Sequence, residues 1–79
     1  MKKSIHGPYQ KCFQVLLREI RKEAKLTQVE LAERLETPHS RISDYERGGR
    51  RLDLVQLREY CMALDVTLRQ FVDRFEEML

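Results

Sequence analysis

Apolar residues recur at helical spacing in five segments of the chain, and each segment begins with a residue that can start a helix. Pro8 suits the first turn of a first helix that runs to about residue 25. Its apolar stripe consists of Phe13, Leu16, Leu17, Ile20 and Ala24. No segment carries a competing strand signal. The pattern therefore predicts an all-α fold of five helices.

Three of the predicted helices share one start signature, in which a capping residue is followed three positions later by Glu or Gln. The pairs are Thr27 with Glu30, Asp53 with Gln56, and Thr67 with Gln70. The first is also flanked by Leu26 and Leu31, placed to form a hydrophobic staple. The apolar positions expected to face inward on the fourth helix are Leu54, Leu57, Tyr60, Cys61 and Leu64. The fifth helix, about residues 68–78, carries Leu68, Phe71, Val72, Phe75, Met78 and Leu79.

The second and third helices, within residues 27–48, are joined by a tight turn. Thr37 can cap the third helix and Pro38 suits its first position, while Gly48 and Gly49 close it. The turn contains Glu36, which costs roughly 1 kcal/mol relative to Gly if it is left-handed. The alternative is a turn rebuilt around Pro38.

The third helix has one apolar side and one polar side. Pro38, Ile42 and Tyr45 cluster together, and the opposite side with its flanks carries His39, Ser40, Arg41, Ser43, Asp44 and Arg47. Such a mixed set of donors and acceptors is what reading base edges in a major groove requires. Taken by itself, the helix could also have an ordinary solvated face, which is what most polar helix faces are.

The spacing of the two helices adds a family resemblance, which extends from about Leu17 to Phe71. The matching residues are Thr27-Gln28, Leu31-Ala32, Ile42-Ser43 and Glu46-Arg47-Gly48. They resemble the helix-turn-helix of the lambda-repressor-like, or XRE, family of bacterial and phage DNA-binding proteins. That family usually has Gly at the position of Glu36, and often a basic or amide residue at that of Asp44. The resemblance implies a five-helix domain whose third helix enters the major groove, with a homodimer binding a palindromic operator.

The resemblance and the chemistry of the side chains together predict roles for individual residues. The positions of His39, Ser40 and Asp44 are the usual base readers of the family, and Arg41 and Ser43 complete the predicted base-reading set. The set that binds phosphates is Thr27, Gln28, Arg47, Arg50 and Arg51. His39 could donate to guanine, Arg41 could contact guanine or a phosphate, and Asp44 could accept from cytosine or exclude wrong sites by repulsion. The resemblance further implies a structural salt bridge between Arg21 and Glu46.

Length and charge are consistent with this reading. The 79 residues allow one small domain, predicted over residues 8–79 after a flexible arm at residues 1–7, where Lys2 and Lys3 could touch phosphates. The net charge is only +2, but residues 1–25 carry seven Lys or Arg against two acids, and residues 52–79 carry three against six. One end is therefore basic and the other acidic, as expected when only one side approaches DNA.

The remaining features narrow the class of protein. Two cysteines without a metal or disulfide pattern favour a reduced, cytoplasmic setting, and no apolar run is long enough to span a membrane. No catalytic constellation stands out, so we expect neither an enzyme nor a cofactor or metal. The predicted function is a transcriptional regulator, a repressor, acting on double-stranded DNA. The alternative is an antitoxin that binds a toxin protein and represses its own operon. Three apolar residues of the fifth helix are either part of the core or part of a dimer seam: Phe75, Met78 and Leu79.

Overall fold

The computed structural model describes residues 7–79, which form five helices and no strand. They are α1 (Pro8–Glu23), α2 (Gln28–Leu35), α3 (His39–Arg47), α4 (Leu54–Ala63) and α5 (Leu68–Glu77). This confirms the predicted all-α fold with its helix-turn-helix at α2 and α3. Of the predicted arm, only Gly7 is described, as the N-cap of α1, and Lys2 and Lys3 lie outside the described residues. Within residues 7–79, no helix is both long and apolar enough to cross a membrane.

All three predicted capping boxes are present. The Thr27, Asp53 and Thr67 side chains accept hydrogen bonds from the backbone N–H three residues later, at 3.1, 2.7 and 3.0 Å. The Glu or Gln at that position accepts in turn from the backbone N–H of the capping residue. The starts of α2, α4 and α5 are thus each fixed by contacts among four consecutive residues.

The helix boundaries differ from the prediction at two places. α1 ends at Glu23, before Lys25, which takes a left-handed conformation with φ 62°. Pro38 is the N-cap of α3 and not its first helical residue, because its ψ of 146° keeps it extended. Contrary to the prediction, Thr37 therefore does not cap α3; it follows the end of α2, and its backbone N–H donates to Ala32 O at 3.0 Å. Glu36 does adopt the left-handed conformation, with φ 53° and ψ 48°.

The core lies where the five helices meet. Its fully buried side chains are Leu16, Leu17, Ile20, Leu31, Ile42, Tyr60, Cys61 and Phe71. The small Ala32 of α2 is also buried. The inward placement predicted for Leu54 is wrong: its side chain is 66% exposed at the first position of α4, and Leu52 before the N-cap packs against the core instead.

The end of α5 divides into a packed part and an exposed part. The Phe75 ring packs edge-on against Phe13, with centroids 6.1 Å apart, so it is joined to the core. Met78 and Leu79, in contrast, are exposed. Arg74 fastens α5 to α1 through two hydrogen bonds to Glu23, at 2.7 and 2.8 Å.

Candidate nucleic-acid interface

One side of α3 packs against the core, and the opposite side is open to solvent. Ile42 and Tyr45 are buried, while His39, Ser40 and Arg47 are exposed. The other three residues of the predicted polar face are half-buried, namely Arg41, Ser43 and Asp44. All five predicted base-reading side chains therefore lie on α3 with some surface open to solvent, which is the arrangement that a groove-reading helix requires.

A bidentate ion pair between Arg21 of α1 and Glu46 anchors the C-terminal end of α3. Arg21 Nε and Nη2 donate to the two carboxylate oxygens of Glu46 at 2.7 and 3.0 Å. The remaining Arg21 nitrogen, Nη1, donates to Leu26 O at 2.8 Å. The two side chains are only 9% and 5% exposed, so water provides little competing solvation. The salt bridge that the family resemblance implied is thus part of this structure, and it ties α3 to α1 and to the loop before α2.

Glu46 has two further donors, which sequence reasoning missed. Tyr60 Oη of α4 donates to Glu46 Oε2 at 3.1 Å, and Gln28 Nε2 donates to Oε1 at 3.1 Å. The signal that could have indicated the first is the phenol in the apolar stripe of α4, because a buried tyrosine hydroxyl needs a partner. The carboxylate of Glu46 therefore joins all of the first four helices at one point.

The electrostatics of this anchor favour the charged pair. Burial on its own would raise the pKa of the Glu46 carboxyl, but hydrogen bonds from Arg21, Gln28 and Tyr60 outweigh it, and the pKa is lowered. The hydrogen bond to Glu46 raises the pKa of Arg21. Burial, together with the neighbouring carboxylate, raises the pKa of the Tyr60 hydroxyl, so this group stays a donor. Glu46 is consequently ionised at neutral pH.

Gln28 lies between the anchor and the exposed face. Its Nε2 donates to Glu46, and its Oε1 is 3.1 Å from His39 Nε2. Gln28, which is predicted to bind phosphate, is therefore in contact with His39, which is predicted to read bases. Thr27 precedes it as the exposed N-cap of α2, and its hydroxyl is occupied by the capping box.

A second ion pair lies on the exposed side of α3. Asp44 Oδ1 accepts from Arg47 Nη2, and their side chains are 32% and 69% exposed. This contact joins a predicted base reader to a predicted phosphate contact. Arg50 and Arg51 are exposed in the loop that follows, outside both ion pairs. The loop begins at Gly48, whose φ of 83° ends α3 in a left-handed turn.

Comparison with known proteins places this geometry in a family. A family model described as helix-turn-helix matches residues 17–71. A solved XRE-family-like protein from Pseudomonas syringae pv. tomato is 34% identical, with 94% of this chain and 90% of that chain covered, at a TM-score of 0.84. The chain belongs to the XRE family of helix-turn-helix DNA-binding proteins. Within this XRE-family protein, α2 and α3 are the two helices of the motif.

Two more distant structures share the fold. A wild-type restriction-modification controller protein is 23% identical, covers 92% of this chain and 95% of its own, and has a TM-score of 0.83. The clp gene regulator ClgR from C. glutamicum is 22% identical, covers 96% and 97%, and has a TM-score of 0.80. A comparison with curated protein sequences gives no match. The five-helix arrangement of the XRE-family protein is therefore retained at low sequence identity.

Proposed function

We propose that this XRE-family protein is a transcriptional regulator, acting as a repressor that binds a palindromic operator in double-stranded DNA as a homodimer. The observation that carries the proposal is the construction of α3. Its inner side is fixed by buried Ile42 and Tyr45 and by the Glu46 anchor, while its outer side presents polar groups. A helix fixed in this way can enter a major groove without losing its orientation.

The proposed contacts fall into two classes. The readers of base edges are His39, Ser40, Arg41, Ser43 and Asp44. The contacts to phosphate are Thr27, Gln28, Arg47, Arg50 and Arg51. Contacts to phosphate position the protein and produce most of the salt dependence, whereas contacts to base edges produce sequence preference. In this proposal Arg47 leaves Asp44 for a phosphate, which also frees the Asp44 carboxylate to face a base.

A pair of alanine variants tests this division. We expect Arg47→Ala to weaken binding to all sequences and to reduce the salt slope by about 1, because one phosphate contact is lost. We expect Ser40→Ala to keep most of the affinity and to change the preference at one or two base pairs. Selection from a randomised site library, followed by titrations at two salt concentrations, measures both effects. A uniform loss of affinity in both variants would contradict the assignment of readers and positioning residues.

The homodimer is proposed because a two-fold pair places its recognition helices about one DNA turn apart, roughly 34–36 Å. Two apolar surfaces are open for it. One is the end of α5 with Met78 and Leu79, while Phe75, predicted with them, packs on Phe13. The other is the outer face of α4, where Val55 and Met62 are 67% and 56% exposed.

Sedimentation of the purified protein, with and without DNA from its own upstream region and at two salt concentrations, tests the dimer and the operator together. We expect a dimer that binds this DNA in a salt-sensitive way. Leu79→Asp and Val55→Asp are a matched pair, because each places one charge on one of the two surfaces. The variant that sediments as a monomer identifies the interface, and a wild-type protein that stays monomeric on DNA would refute the homodimer.

The antitoxin alternative uses the same exposed surfaces for another protein. It predicts that a small toxin encoded beside this chain co-purifies with it and that Leu79→Asp or Val55→Asp abolishes the complex. A regulator that acts through DNA alone retains full operator binding without any such partner. This outcome separates the two functions.

A further inference from the structure

Gln28 connects the buried anchor to the exposed face through two hydrogen bonds of 3.1 Å, one to Glu46 and one to His39. Gln28 is the first residue of α2, and His39 is the first residue of α3. The amide group thus bridges the starts of the two helices of the motif. One end of the bridge is almost fully buried, since the Glu46 side chain is 5% exposed, and the other end is exposed.

The direction of both hydrogen bonds is fixed by Glu46. An ionised carboxylate has no proton, so it can only accept hydrogen bonds. The Gln28 atom facing it must therefore be the amide nitrogen, and the amide oxygen must face His39. The opposite amide orientation would place an oxygen against the carboxylate and would lose a donor to a buried charge.

This orientation determines which ring nitrogen of His39 carries the proton. An amide oxygen only accepts, so His39 Nε2 must be the donor at 3.1 Å. A neutral imidazole has one N–H, so its other nitrogen, Nδ1, is then an acceptor. Among residues 7–79, Gln28 is the hydrogen-bond partner of this ring. The exposed ring therefore offers an acceptor for an external ligand.

We propose that Gln28 is a positioning residue that fixes His39 in its Nε2–H form, so that Nδ1 is the atom with which His39 reads DNA. In the major groove, an acceptor pairs with the exocyclic amine of adenine (N6) or cytosine (N4), and not with the guanine N7 and O6 acceptors. The proposal rests on the proposed function. It replaces the guanine contact considered for His39 from sequence with a contact to an amino-bearing base.

The first test uses the free protein, and so does not depend on DNA binding. Long-range ¹H–¹⁵N NMR at pH 8 distinguishes the two tautomers of each histidine ring. For His39 we expect Nε2 to have the ¹⁵N shift of a protonated nitrogen and Nδ1 that of an unprotonated one, and we expect both shifts to move towards intermediate values in Gln28→Met, which keeps the chain length but not the amide. The second histidine, His6, is the internal reference. A protonated Nδ1 in the wild type, or identical His39 spectra in the two proteins, would overturn the proposal.

The second test is selection from a randomised half-site library with three proteins. The base pair that His39 contacts is the one where His39→Ala removes the wild-type preference. Because every Watson–Crick pair contains an adenine or a cytosine, base analogues then identify the contacted atom: we expect the wild type, and not His39→Ala, to lose affinity when the exocyclic amine is removed, by purine in place of adenine or 2-pyrimidinone in place of cytosine. We expect Gln28→Met to weaken the preference at that same base pair by about 2- to 12-fold, the range for one hydrogen bond, and to leave the preferences at the other base pairs unchanged. The overall affinity should also fall, because Gln28 is a proposed phosphate contact. A loss of affinity when the purine N7 is replaced by carbon (a 7-deaza base), with no loss when the amine is removed, would overturn the proposal while the proposed function stands. Absence of any selected sequence would instead refute the proposed function, with the NMR result unaffected.

Discussion

Replacing Glu46 with alanine tests how much the buried ion pair that holds α3 contributes to the stability of the domain. The substitution removes the acceptor of four hydrogen bonds: two from Arg21, one from Gln28 and one from Tyr60. Arg21 would keep only its bond to Leu26 O. Its guanidinium would then be a buried charge without a counter-charge, in a side chain that is 9% exposed.

The size of the effect follows from that burial. Removing one partner of a buried ion pair costs about 3–5 kcal/mol. A domain of this length has a total stability of about 4–12 kcal/mol, at roughly 0.05–0.15 kcal/mol per residue. Each 1 kcal/mol lowers the melting temperature of such a domain by about 4–8 °C, so we expect a decrease of at least about 12 °C for Glu46→Ala.

Asp44→Ala is the matched control, because it removes a carboxylate from an ion pair two positions earlier on the same helix. The Asp44–Arg47 pair is solvent-exposed, and such pairs contribute about 0–1 kcal/mol. Thermal and urea unfolding at pH 7, followed by far-ultraviolet circular dichroism, measures both variants. Equal losses below about 1 kcal/mol would refute the argument that Glu46 anchors α3.

Three further predictions concern the same elements. The pKa of Glu46 is lowered below its ordinary value of 4.5 in the folded protein, so its contribution to stability is complete above that value and is lost as the pH falls through the folded pKa. The free energy of unfolding, measured at a series of acidic pH values, should therefore fall more steeply with decreasing pH in the wild type than in Glu46→Gln. Glu36→Gly should raise the free energy of unfolding by about 0.5–1 kcal/mol, because Glu36 has φ 53°, whereas Glu33→Gly inside α2 should lower it by about 1 kcal/mol. Gly48→Ala should lower it by about 1–2 kcal/mol in urea unfolding, since the residue has φ 83°, where a Cβ is strained. The new Cβ would lie 2.3 Å from Gln14 Nε2, but this end of a flexible side chain can move aside; an unchanged midpoint would contradict the prediction.

The helix starts and the family motif were predictable from sequence, because they depend on residues close together in the chain. Thr27 and Glu30, three positions apart, form reciprocal hydrogen bonds between side chain and backbone, and the same short-range contact is present at the starts of α4 and α5. The apolar face of α3 follows from the period of the helix, which places Ile42 and Tyr45 on one side. The left-handed turn at Glu36 was predicted as one of two alternatives, since the family usually has Gly at this position of the turn.

Two predictions, for Pro38 and Leu54, were wrong because the local sequence pattern permits more than one placement of the residue. Pro38 is acceptable both as the N-cap and as the first helical residue, and the closing hydrogen bond of Thr37 to α2 selects the former. Leu54 has the spacing of an inward residue, yet Leu52 packs against the core before the cap. In both cases the position of the residue depends on how the neighbouring segment ends or packs, and not on the sequence of the helix that begins there.

The sequence by itself determined the five helices, their caps, the helix-turn-helix and the polar side of α3, because each depends on contacts within one or two helical turns. The family resemblance implied the pair of Arg21 with Glu46, but only the tertiary structure decided which other polar groups meet. These pairs are distant in the chain: Gln28 and Glu46 are 18 positions apart, and Gln28 and His39 are 11. A hydrogen bond needs its donor and acceptor within about 3 Å, and only the packing of α1, α2, α3 and α4 against one core brings these atoms that close.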